Sequence, residues 1–113
     1  MSKKLLWLDD IRNPLLDNWL SEYAPEFCDK KGGVIWVKNS EEFLNWINSN
    51  GLPYMICFDN DLGEKTEGYD LAKWLVEYCL DNDLELPNYG VQSANTVASI
   101  KIKNLFNNFN NRL

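Results

Sequence analysis

The 113-residue chain is 45% apolar and 13% aromatic, carries 17 acidic against 11 basic residues for a formal charge of −6, and contains no histidine. Its length allows one domain around a single modest core. The composition excludes a largely disordered chain, and the acidic balance argues against broad, sequence-independent duplex nucleic-acid binding. Imidazole catalysis and histidine-ligated zinc drop out, leaving carboxylate-oxygen chemistry with hard cations. A small phosphorylated ligand held through a cation remains compatible with this charge.

The opening Met1-Ser2-Lys3-Lys4-Leu5 lacks the apolar region and cleavage site of a secretory signal. No apolar run approaches the ~20 residues of a membrane helix. A cytoplasmic protein is expected. The first strand reads from Lys4 to Leu8 and runs into Asp9-Asp10. In the loop that follows, Asn13 is the expected N-cap and Pro14 the first helical residue. Leu15, Leu16, Trp19, Leu20 and Tyr23 then recur at helical spacing up to Pro25. Glu26 to Gly33 is a polar connection that ends in a glycine turn before a second strand, Val34 to Val37.

Asn39 with Glu42 three residues later resembles a capping box, opening a helix that buries Phe43, Leu44 and Ile47 and stops at Asn50-Gly51. The third strand, Tyr54-Met55-Ile56-Cys57-Phe58, is an apolar run without alternation, the pattern of a strand buried on both faces. It ends at Asp59-Asn60-Asp61-Leu62-Gly63. Glu64 to Gly68 is expected as a charged, solvated loop. A third helix carries Leu71, Ala72, Trp74, Leu75, Tyr78 and Cys79, and Asp81 to Glu85 is a second acidic loop.

A fourth strand, Tyr89 to Gln92, ends in Ser93-Ala94-Asn95. Asn95 is the N-cap of a last helix presenting Val97, Ile100, Leu105 and Phe109 to the core, with the tail from 107 to 113 frayed. Trp7, Trp19, Trp36 and Trp74 fit buried faces, while Trp46 is left open. Cys28, Cys57 and Cys79 lack metal-ligand spacing and read as free thiols in a reducing cytosol.

The order βαβαβαβα implies one three-layer α/β domain over 1–113, a four-stranded parallel sheet in the flavodoxin-like order 2-1-3-4 with four helices. Ligands of such sheets bind beyond the carboxyl ends of the strands, at the point where the strand order reverses. Asp9, Asp10, Asp59 and Asp61 are therefore expected to meet there. Carboxylates so crowded must protonate or share a cation, and Mg²⁺ or Mn²⁺ suits them, with a substrate phosphate completing the shell. Asp59 and Asp61 are each open to a role as ligand, base or nucleophile. Arg12 is placed to clamp a phosphate, and Ser93 and Asn95 to donate hydrogen bonds to it.

Together, Leu8-Asp9-Asp10-Ile11-Arg12-Asn13-Pro14, Phe58-Asp59-Asn60-Asp61-Leu62-Gly63, Thr66-Glu67-Gly68-Tyr69-Asp70 and Ser93-Ala94-Asn95 resemble the cyclic-phosphate-processing receiver-like domains. These are relatives of response-regulator receivers, and the resemblance runs in order from about Leu5 to Ile102. It implies a receiver-like fold with Asp9, Asp10 and Asp59 in the receiver's metal and acceptor-aspartate positions. It also implies metal-dependent binding, and hydrolysis centred on Asp59, of a cyclic phosphate on a nucleotide or RNA end. Family members commonly carry histidine where this chain has Asn60 and Gln92, and proline at Thr96. An amide hydrogen-bonds but carries no proton at neutral pH. A second expectation is therefore a catalytically inactive binding or inhibitor module with a protein partner, for example in a phage–host setting, or a homodimer. A receiver's fifth strand and its lysine are not found in the chain, which places phosphoacceptor signalling on Asp59 third.

Overall fold

In the computed structural model, which describes residues 3–112, four short parallel strands stack in the order β2-β1-β3-β4. Met1 and Ser2, where the sequence was read for a secretory signal, and Leu113 of the expected tail lie outside the described residues. The strands are β1 (Leu5–Leu8), β2 (Val34–Val37), β3 (Met55–Phe58) and β4 (Asn88–Val91). They alternate with helices α1 (Trp19–Tyr23), α2 (Ser40–Asn50), α3 (Gly68–Asp81) and α4 (Thr96–Asn110). The receiver-like topology expected from the sequence is the one observed. Strand β1 is wholly buried and pairs with β2 and β3, which is why its residues need no alternation.

The pleat sends alternate residues of β1 and β3 to opposite faces. Leu6, Leu8, Ile56 and Phe58 pack with Phe43 and Ile47 of α2, Leu71, Leu75 and Cys79 of α3, and Ile102, Phe106 and Phe109 of α4. Leu5, Trp7 and Cys57 turn the other way onto a smaller cluster with Leu20, Ala24 and Phe27. Burial pushes the Cys57 thiol up to about 12, and Cys28, Cys57 and Cys79 are all free. Trp7 is fully buried. Trp19, Trp36 and Trp74 are half-buried, and Trp46 packs partly buried against the larger core.

Three local expectations are corrected. Helix α1 begins at Trp19 rather than Pro14, because Asn13 Oδ1 accepts from Leu15 N at 3.0 Å, closing a tight turn. Asp17, at φ +53°, breaks any helical continuation. Leu15 and Leu16 are consequently exposed. Helix α4 buries Ala98, Ile102, Phe106 and Phe109, while Val97 and Ile100 face solvent. It continues through Asn110, so 107–110 is helical rather than frayed.

Glu64 lies exposed in a loop, as expected, and accepts from Ser40 N at 2.7 Å and Ser40 Oγ at 2.9 Å, adding an acid to the N-terminus of α2. The Asn39 cap there is as expected, with Asn39 Oδ1 accepting from Glu42 N at 2.9 Å. Among the described residues no helix is long and apolar enough to cross a membrane.

Candidate metal centre

Register positions the acids. Leu8 pairs with Phe58 across β1 and β3, and the next amides extend the ladder, Asp9 N donating to Val37 O and Asp59 N to Leu8 O. Asp9 and Asp59 therefore leave adjacent strands side by side at the carboxyl edge of the sheet. One carboxylate oxygen from each of Asp9, Asp10 and Asp59 lies within 4.8 Å of the others. Asp9 and Asp59 are buried and Asp10 is half-buried.

Two indoles hold the backbone of this loop. Trp36 Nε1 donates to Asp9 O at 2.7 Å, and Trp7 Nε1 to Arg12 O at 3.1 Å. Asp9 then organises the turn through its side chain, Oδ1 accepting from Ile11 N at 3.0 Å and Arg12 N at 2.9 Å. Its Oδ2 accepts from Arg12 Nη1 at 3.2 Å and Gln92 Nε2 at 3.4 Å. Arg12 Nη1 is also 3.6 Å from Asp59 Oδ1, and its guanidinium lies over the Trp19 ring at 5.3 Å. Arg12 is thus an internal cation shared by two of the three acids.

Desolvation is the largest influence on Asp59 and, with the neighbouring Asp9 charge, pushes its carboxyl up to about 7. Arg12 opposes this, Asp10 adds to the rise, and the Asn60 N–H again opposes it. The next loop is closely fitted. Gly68 N donates to Asn60 O at 2.8 Å, and a Cβ at Gly68 would overlap the Asp59 carbonyl oxygen, so α3 begins in backbone contact with the acid. Gly63, at φ +69°, turns the chain where a Cβ would stand 3.3 Å from Asp10 Oδ2.

Two buried oxygens at this edge, Asp10 Oδ1 and Gln92 Oε1, have no hydrogen-bond partner among the described residues. Gln92 is 2% exposed. Its Nε2 also donates to Leu8 O at 3.0 Å, and a flipped amide would face two acceptors with a third, which fixes the assignment. Buried acceptors without partners are costly. A donor set of three clustered carboxylates beside an orphaned amide oxygen fits a hard cation.

The other sequence-derived candidates fall outside this cluster. Asp61 is exposed and accepts from Asn60 Nδ2 at 3.1 Å, so the structure does not bring it to the three acids. The chain turns away immediately after Asn60, whose Oδ1 accepts from Tyr69 N at 3.0 Å. Ser93 Oγ accepts from Asn95 N at 3.1 Å and Asn95 Oδ1 from Ala98 N at 3.1 Å, so both spend an oxygen on starting α4. They nevertheless stand past the end of β4, on the carboxyl edge of the sheet. Sequence reasoning met Gln92 only as the residue standing where family members commonly carry histidine and did not count it among the site residues, and it missed Trp7 and Trp36 as anchors.

No curated protein matches the chain. A solved structure titled as a yeast Spc42 trimeric coiled coil, amino acids 181–211, fused to another structure is similar, with a TM-score of 0.59 and 21% identity. The match covers 93% of this chain and 63% of that one, so the chain spans less than two thirds of its length, and the likeness carries the fold alone. A family model described as cyclic-phosphate processing receiver domain matches residues 4–108. With the parallel 2-1-3-4 sheet and the acids at its carboxyl edge, that match makes the chain a member of the cyclic-phosphate processing receiver domain family.

Proposed function

We propose that the carboxyl edge of the sheet binds Mg²⁺ or Mn²⁺ through Asp9, Asp10 and Asp59 and recognises a cyclic phosphate on a nucleotide or RNA end. The observation that carries this reading is the trio of carboxylates within 4.8 Å of one another, in which Asp10 keeps a buried oxygen without a partner and next to which the buried Gln92 amide leaves its oxygen unpartnered. A bound divalent cation supplies neutralisation of the acids and polarisation of a phosphoryl oxygen.

The chain's own groups do the rest. Arg12 offers a planar pair of donors to phosphate oxygens. The Ser93 hydroxyl hydrogen and Asn95 Nδ2, not used in starting α4, orient the same group. Asp59 is the candidate for hydrolysis: it takes a proton from the attacking water as the water oxygen bonds to phosphorus. It returns that proton to the ring oxygen that leaves. The free thiols fit a reducing compartment such as the cytoplasm.

A second reading is favoured by a specific observation. Asn60 and Gln92 stand where family members commonly carry histidine, and both use their amides to tie backbone and carboxylate in place. Neither holds a proton to donate. A domain that binds the cyclic phosphate, or a protein partner, without turnover fits this arrangement.

Thermal unfolding with and without Mg²⁺ or Mn²⁺, on the parent and on Asp59→Asn, tests the site. At a hundredfold excess over Kd the cation stabilises the fold by about 2.7 kcal/mol. A rise in Tm lost in Asp59→Asn supports the metal centre, and no rise in the parent overturns it. Phosphorus NMR of cyclic mononucleotides then separates the readings. Ring opening abolished by Asp59→Ala marks an enzyme, and binding without ring opening marks the inactive module.

A further inference from the structure

We infer that Arg12 is the resident counterion of the acid cluster and that a divalent cation binds by exchange with it, releasing the guanidinium towards the ligand phosphate. This rests on the metal reading above. Arg12 Nη1 is 3.2 Å from Asp9 Oδ2 and 3.6 Å from Asp59 Oδ1, two carboxylates that the cation needs.

Asp9 has no free alternative. Its Oδ1 is held by the Ile11 and Arg12 amides at 3.0 and 2.9 Å, so Oδ2, which faces the guanidinium and a longer contact from Gln92 Nε2 at 3.4 Å, is the oxygen a cation reaches when Arg12 leaves. Mg²⁺ sits about 2.0–2.1 Å from its ligand oxygens. A guanidinium nitrogen on the same oxygens would then face a double positive charge at close range, in a poorly solvated crevice.

The surroundings allow the exchange. The Arg12 backbone is pinned at both ends, its N–H to Asp9 Oδ1 and its carbonyl to Trp7 Nε1. Its side chain is 24% exposed and rests on the Trp19 ring at 5.3 Å. The guanidinium can therefore leave the acids without unfolding the turn, and the indole face supports it once it has left. The acid left without a partner in the present arrangement is Asp10, whose Oδ1 is buried and unbonded. One arginine reaches two of the three acids, whereas a coordinating ion reaches all three.

Calorimetric titration of Mn²⁺ into the full chain, with all proteins at one pH, tests the exchange with the parent, Arg12→Gln and Arg12→Lys. Removing a competing charge should tighten Mn²⁺ binding by roughly tenfold or more in Arg12→Gln. Arg12→Lys, which keeps the charge, should stay close to the parent. In the parent, diamagnetic Mg²⁺ should also shift the Arg12 Nε–H resonance. If the parent binds Mn²⁺ and Arg12→Gln binds no tighter, the exchange is wrong and the metal centre stands. If Arg12→Lys tightens as much as Arg12→Gln, charge competition is wrong. If none of the three proteins binds, the metal centre itself fails and the exchange with it. Thermal unfolding of each variant confirms that it is folded before titration, and Arg12→Lys carries the comparison if Arg12→Gln is not.

Discussion

Asp59 illustrates how one buried carboxyl ties stability to pH. Its folded pKa, pushed up to about 7 from 3.8, means that the metal-free folded state holds a proton that the unfolded chain has already lost. Stability is therefore complete below the unfolded value and falls as pH rises through about 7. At about 1.4 kcal/mol per pH unit, the loss is on the order of 4 kcal/mol at most, less whatever penetrating water screens. Urea unfolding across this range should show a decline for the metal-free parent and a flat line for Asp59→Asn, which should be the more stable protein at alkaline pH. A flat parent curve would show that the carboxyl is not desolvated. The acids themselves were legible because Asp9, Asp10 and Asp59 follow apolar strands directly, where register alone brings them together. Asp61 was not, since Asn60 and Gly68 bend the chain away in a manner that only backbone contacts reveal.

At the scale of elements, α4 shows how two apolar patterns compete for one helix. Val97 and Ile100, read with Leu105 and Phe109, offer one stripe, whose last two residues do reach the core. Ala98, Ile102, Phe106 and Phe109 offer another that persists to the end of the helix and brings in two aromatic rings. The longer, larger stripe wins because the area it removes from water is greater. Phe106, with its ring 5.4 Å from Phe58 and 4.7 Å from Tyr89, is central to it. Phe106→Ala should cost about 3–5 kcal/mol, whereas Val97→Ser, at an exposed position, should fall within about 0.5 kcal/mol of the parent. Chemical denaturation of the two variants checks the pair, and equal losses would restore the other stripe. Element order and strand positions were readable from apolar runs and turn residues, as were the Asn39 and Asn95 caps. The start of α1 was not, because Asn13 satisfies either a cap or a tight turn, and the choice depends on Asp9 and Trp7 pulling the preceding loop inward.

Across the whole molecule, the strand order was implied by the βα alternation, but the unequal covering of the two sheet faces was not. Three helices cover the face of Leu6, Leu8, Ile56 and Phe58, while α1 and the turn to Phe27 cover the face of Leu5, Trp7 and Cys57. The acid loop joins β1 to that lighter layer, and Arg12 lies against its Trp19. A layer with fewer buried contacts opens at lower free energy than the rest of a domain. Amide hydrogen exchange should thus be fastest, among the helices, at Leu20 to Tyr23, and slowest in α3. Faster exchange in α3 would contradict the ranking. Occupancy of the acid crevice then becomes visible at a distance: any ligand that fixes the loop at Asp9 also holds down the layer that opens most readily. Protection gained at Tyr23 and Phe27, which carry none of the proposed ligands, would report binding before any chemistry is measured.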